Sequence, residues 1–241
     1  MQPCYCIIDG QSNEQIPASI REATATDFER TAREHWQTDW RTDFIQDTTL
    51  EKYALELDAT KELVGLAAYR DMPEGVLVYV EYMESAPSGN PTLSKPRKYA
   101  GIGAALLAFG IQLSIDYGYG GAIYLKAKTS QLREHYMRNY GAIPFSRFDP
   151  FLLLIDGDAA RELFGQYLKE VCRMQNKKYL ELDALAAPNG YVAPPTKEDL
   201  AYVVHFRKTC QRYQIDFAKA DPDERDFVIH MAEKTFFQKR A

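Results

Sequence analysis

The chain has 241 residues, enough for one large domain or for a domain of ordinary size with an appendage. With 46% hydrophobic and 26% charged residues it can build a sizeable core, which excludes disorder of the chain as a whole. The net charge of −5 argues against tight non-specific binding to nucleic acid, which needs a surplus of Lys and Arg, and fits a cationic or neutral partner better.

The N-terminus lacks a basic region followed by a long apolar stretch, and no run approaches the roughly 18 apolar residues that span a bilayer. The four cysteines, Cys4, Cys6, Cys172 and Cys210, form no CxxC pair, and only four histidines accompany them. Cys4 and Cys6 are too close in sequence to bridge each other well. The expectation is a cytoplasmic protein with reduced thiols, no metal and no membrane segment.

Cys4 and Cys6 alternate in an apparent strand or extended tail, and Gly10 to Ala18 is polar and turn-rich and reads as a loop. Ser19 to Ala23 is a short strand candidate. Thr26 and Glu29 form a capping box ahead of Phe28, Ala32 and Trp36 at helical spacing, which predicts a helix from about Asp27 to about Trp40. Tyr53–Leu57, Glu62–Arg70 and Gly75–Glu84 then read as three strands of an antiparallel meander, the last two separated by a turn over 71–75. A Pro-, Ser-, Gly- and Lys-containing loop covers Ala86 to Tyr99.

Gly101 to Tyr117 carries Ile102, Leu106, Phe109, Leu113 and Tyr117 on one face, a helix that Gly118 to Gly121 stops. Ala122–Leu125 is a buried strand, Ser130–Tyr140 a helix closed by Gly141, and Phe151–Ile155 a further strand. The expected fold class is therefore α/β, with a mixed sheet that is antiparallel in its first half and has a parallel crossover in its second. After Asp156 the composition turns helical. Ala160, Leu163, Phe164, Tyr167, Leu168 and Val171 make an apolar stripe, and Ala186 to Pro195 reads as a linker. Tyr202, Phe206, Cys210, Tyr213 and Phe217 mark a second helix over Thr196 to Phe217. Asp221-Pro222-Asp223-Glu224 opens a third. The expected division is residues 1–156 and a helical extension over 157–241, whose aromatic stripes pack on the first part, form a dimer interface or wall a substrate site.

The segment Arg97-Lys98-Tyr99-Ala100-Gly101-Ile102-Gly103-Ala104 carries the chemistry. Two glycines one residue apart open a helix after a strand and a loop. Glycine lets a ligand approach the backbone closely, and the helix start offers unpaired N–H groups and a positive dipole end. These features make a cradle for a pyrophosphate, with Arg97 and Lys98 as added cations. A dinucleotide-binding motif needs a third glycine where Leu106 stands, and a parallel strand before it, so that reading is rejected.

Lys98-x-x-Gly101-x-Gly103 resembles the acetyl-CoA pyrophosphate loop of the GNAT acetyltransferase superfamily, and Leu132 to Ala142, with Tyr136 and Tyr140-Gly141, resembles that family's tyrosine-bearing helix. The resemblance covers roughly Ile20 to Ile155. It departs from the family pattern in having Lys98 where Arg or Gln is usual, and in a longer loop from Pro87 to Pro96, which covers the active site or shapes the acceptor pocket. The resemblance implies a GNAT-like sheet, acetyl-CoA as co-substrate, pyrophosphate on the loop amides, pantetheine paired with the preceding strand, and Tyr136 as general acid to the departing thiolate.

N-acyl transfer also needs a polarised thioester carbonyl and a neutral amine. A backbone N–H at a strand irregularity supplies the first, and a carboxylate can take the amine's proton. Glu81 is the first candidate base and Glu84 the second; alternation sends them to opposite faces unless a bulge intervenes. Surface or acceptor-binding carboxylates are the competing reading. His135 is expected to be structural. The function expected is transfer of an acetyl group from acetyl-CoA to a primary amine on a small cationic molecule, peptide or protein. The alternatives are a non-catalytic acyl-CoA sensor or scaffold, and a subunit of a complex that uses the helical tail as adaptor, with a homodimer or partner protein bound there.

Overall fold

The computed structural model describes residues 3–168 and 196–237. These hold nine strands and six α-helices. The strands are β1 (Tyr5–Asp9), β2 (Gln15–Glu22), β3 (Glu51–Leu57), β4 (Leu63–Met72), β5 (Leu77–Ser85), β6 (Tyr99–Ala100), β7 (Ile123–Lys126), β8 (Ile143–Pro144) and β9 (Leu152–Ile155). The helices are α1 (Ala25–Arg33), α2 (Ile102–Asp116), α3 (Ser130–Tyr140), α4 (Gly157–Gly165), α5 (Lys197–Tyr213) and α6 (Pro222–Phe237). One mixed sheet runs β6-β1-β2-β3-β4-β5-β7-β9-β8. Every neighbouring pair is antiparallel except β5 and β7, which are parallel and joined through α2.

Three apolar clusters account for the layers. The first joins one sheet face to α2, α3 and α4, and includes Val78, Val80, Ile123, Leu125, Leu106, Leu107, Leu132 and Leu163. Residues 102–108 of α2 are all buried, as expected for a helix that is apolar all round. Tyr69 locks α2 onto the sheet: its hydroxyl donates to the Leu106 carbonyl at 2.6 Å, and its ring fills the space beside Gly110. The second cluster packs α5 and α6 on the opposite face through Tyr79, Tyr124, Leu154, Tyr202, Phe206 and Val228. The third, on that same face further along, holds α1 and the chain to β3, with Phe28, Trp36, Trp40 and Ile45 against Leu66, Ala68 and Tyr82.

Several elements differ from the sequence-based expectation. The first helix ends at Arg33, not near Trp40, because His35 takes φ 56° and turns the chain. Trp36 and Trp40 still bury, held by their own contacts rather than by helical phase. The cap is Thr24, whose N–H donates to Asp27 Oδ2 at 2.8 Å, in place of Thr26 with Glu29. Asp27 is fixed there by Arg21, 2.7 Å away. β2 begins at Gln15, inside the segment read as a loop, because Ile16 pairs with Ile7 of β1. β6 and β8 are two-residue strands, too short to leave a periodic signal. At the other end Asp221 and Glu224 close a reciprocal cap: Glu224 N–H donates to Asp221 Oδ1 at 2.9 Å, and Asp221 N–H to Glu224 Oε2 at 3.2 Å. The expected linker over 186–195, Val171 and Cys172 lie outside the described residues.

Candidate functional site

The start of α2 is assembled from four directions. β6 pairs with β1 through Asp9↔Tyr99 and Ile8↔Ala100, delivering the chain to Gly101. Gly101 then adopts φ 82°, a left-handed turn that only glycine enters without strain, and the helix begins at Ile102. Ile102 nests against two glycines: a Cβ on Gly89 would lie 2.3 Å from its Cδ1, and one on Gly65 2.8 Å from its Cγ2. Gly10 holds the loop from below. Its N–H donates to the Lys98 carbonyl at 2.7 Å, and a Cβ there would sit 2.2 Å from the Arg97 carbonyl oxygen. By helix geometry the N–H groups of Ile102, Gly103 and Ala104 have no intrahelical acceptor, and the dipole's positive end lies there.

Of the two added cations, Arg97 is half-buried and Lys98 is exposed. The Lys98 ammonium is committed to Glu62, 3.0 Å away, and the Tyr99 hydroxyl donates to the same carboxylate at 2.8 Å. Contact with Tyr99 and Glu62 holds Lys98 above its ordinary pKa. The long loop after Pro87 reaches the chain before β3, where the Gln37 side-chain amide donates to Thr92 Oγ1 at 2.9 Å.

Next to the helix start the sheet parts. β5 and β7 pair at Val78↔Ile123 and Tyr79↔Tyr124, and their common register stops there. On the other side of β5 the register with β4 jumps, with Tyr69 opposite Val80 and Ala68 opposite Tyr82. Glu81 is therefore the extra residue of a β-bulge, at the level where β5 leaves β7.

The bulge puts both candidate glutamates on the same face. Glu81 is buried and accepts from Arg70 Nε at 3.1 Å, and Arg70 also reaches Asp47 and Thr49. Glu84 is fully buried; its Oε1 accepts from the Gln37 N–H at 2.8 Å and its Oε2 from Trp40 Nε1 at 2.9 Å. Both carboxyls face the chain over 37–49. Burial pushes both above the usual carboxylate range, against Arg70 for Glu81 and against Trp40 and Gln37 for Glu84. Tyr136 lies on the other face, 1% exposed, in the cluster that also contains Met83, Ala127, Ala104 and Leu107. Its ring contacts Tyr140 and His135. His135 is buried, with Nδ1 3.0 Å from Asn139 Nδ2.

Sequence reasoning missed Gly10, Arg70, Tyr82, Trp40 and Lys128. Tyr82 bonds Thr38 through its hydroxyl, and Lys128 crosses from the end of β7 to reach it. Nothing in local spacing links residues so far apart in the chain. Two surface cavities, of about 400 and 320 Å³, lie along α5 and α6, and none of these residues lines them. Among the described residues no group of three or more His, Cys, Asp or Glu is placed to hold a metal ion, and no helix is long and apolar enough to cross a membrane.

No protein-family model matches this chain, and no curated protein matches it in sequence.

Proposed function

We propose that the protein is an acyl-CoA-dependent N-acyltransferase of the GNAT kind, moving an acetyl group from acetyl-CoA to a primary amine. The observation that carries this reading is the meeting of two features: the glycine-opened start of α2, and the parting of β5 from β7 beside the bulge at Glu81. A parallel pair that parts leaves unpaired strand edges, which a pantetheine amide chain can engage. A helix start next to that gap suits the pyrophosphate. The single parallel crossover in an otherwise antiparallel sheet also agrees with the fold that the resemblance implies.

In this reading the first-turn amides of α2 hold the pyrophosphate and a backbone N–H at the bulge polarises the thioester carbonyl. The amine nitrogen attacks the carbonyl carbon, the C–S bond breaks, and the Tyr136 phenol protonates the leaving thiolate. Glu81 takes the amine's proton. Burial raises its pKa against the pull of Arg70, which makes the carboxylate a stronger base. Glu84 has a different role: with both oxygens bonded to the chain at 37–40, it anchors that segment. α5 and α6, packed on the glutamate-bearing face, form part of the acceptor's surroundings.

The test is release of free thiol from acetyl-CoA across a panel of primary amines, comparing wild type with Tyr136→Phe. We expect turnover with at least one amine and a fall of about 10²-fold or more in the variant. Saturable acetyl-CoA binding with no thiol release for any amine would remove the transferase reading.

A further inference from the structure

Beyond Tyr79 and Tyr124 the gap between β5 and β7 is crossed by the side chain of Lys128. This residue stands two places past the end of β7. Its Nζ lies 3.2 Å from the Tyr82 hydroxyl and 4.4 Å from the centre of the Tyr82 ring. Tyr82 directly follows the bulge residue Glu81, so the amine sits at the level where β5 departs from its neighbour.

Lys126 and Lys128 alternate onto the same face, yet their surroundings differ. Lys126 lies 2.9 Å from Asp149 and 3.0 Å from Asp199, and these bonds outweigh its burial to hold it above its ordinary pKa. Lys128 lies against a phenol, and burial lowers its pKa to about 8 with the Glu84 carboxylate opposing. Among the described residues, Tyr82 and Glu84 of β5 are titratable groups that act on it, and Lys126 lies two residues back on its own strand face. Burial pushes the Tyr82 hydroxyl up to about 12, so it stays neutral through the range in which Lys128 titrates.

We propose that Lys128 is itself an acyl acceptor, taking the acyl group from a thioester bound between β5 and β7 when no external amine is present. This rests on the acyltransferase reading. The neutral ε-amine attacks the thioester carbonyl carbon, the C–S bond breaks, and the proton lost by nitrogen ends on the CoA sulfur. The products are one Nε-acyl-lysine and one CoA thiol, and no further reactant is needed. Lys126, kept as an ammonium by two aspartates, has no lone pair to offer.

The experiment incubates the full chain with acetyl-CoA at pH about 7 and about 9, follows the intact mass, maps the modified peptide, and measures acetyl-CoA binding by calorimetry in the same preparation. The expected result is one acetyl group per chain, on Lys128. The rate should rise about tenfold between the two pH values, as the neutral fraction of an amine titrating midway between them does. Lys126 should stay unmodified, and Lys128→Arg and Lys128→Gln should each abolish the mass gain. Saturating acetyl-CoA binding with Lys128 unmodified at both pH values would overturn the proposal and leave the acyltransferase reading standing. Equal modification by a short acetyl thioester lacking the nucleotide would overturn it too, as would label spread over surface lysines. Absence of acetyl-CoA binding would bring down both.

Discussion

On one face of the sheet α2 lies against Val78, Val80, Ile123 and Leu125, with glycines and alanines letting the helix approach closely. On the other, the same strands turn Tyr79, Glu81, Tyr82, Glu84, Tyr124, Lys126 and Lys128 toward α5, α6 and the chain over 37–49. The first face stabilises through apolar burial and shape, and Tyr136 is buried within it. The second buries carboxylates and amines, each tied to a named partner. Burying a charge is unfavourable unless it is paired, so a face built in this way is held by its hydrogen bonds. The difference separates a face held by apolar packing from a face held by paired polar groups across the thickness of one sheet.

Variants on the two faces should therefore behave differently. The largest effect is expected on the apolar face, where Leu107→Ala should lower unfolding free energy by about 2–5 kcal/mol through lost burial and a cavity. Urea unfolding at several pH values should show a loss that is the same at each. On the polar face Glu84→Ala should cost about 2–3 kcal/mol, because the Trp40 indole N–H and the Gln37 amide lose their acceptor in a buried place. A loss well under about 1 kcal/mol would show that the chain over 37–40 finds other partners.

Glu81→Gln sharpens the contrast through its pH dependence. Burial raises the Glu81 pKa in the folded state, so the folded protein holds this proton at a pH where the unfolded chain has released it. Stability contributed by the group is then present below the unfolded carboxylate pKa and declines as pH rises through the folded one. The variant lacks that decline. Its deficit relative to wild type should be largest in acid and shrink as pH rises, and a deficit independent of pH would contradict the shifted carboxyl. The smallest effect belongs to Gly101→Ala. A Cβ there meets nothing within 4 Å, so only the left-handed φ of 82° opposes it, at about 1 kcal/mol.

The apolar face was the more legible in sequence. α2 and α3 follow from helical spacing and from Gly141, which takes φ 62° at the helix end. The central strands follow from their runs of Val, Leu and Tyr. The polar face was not legible, because its partners are far apart along the chain: Gln37 and Trp40 with Glu84, Arg70 with Glu81, and Lys128 with Tyr82. Strict alternation places Glu81 and Glu84 on opposite faces. The bulge, an irregularity of pairing with β4 that no local pattern encodes, brings them together. Trp36 and Trp40 misled in the other direction, since four-residue spacing mimics a helix even where His35 has already turned the chain.

The central claim is that the start of α2 binds the pyrophosphate of an acyl-CoA. The most direct measurement is calorimetric titration of the protein with acetyl-CoA, alongside CoA and the Gly101→Glu variant, whose carboxylate would stand at the same helix start. The account predicts binding of both ligands at micromolar concentrations, abolished in a variant that remains folded. Failure of the intact protein to bind either ligand would contradict it.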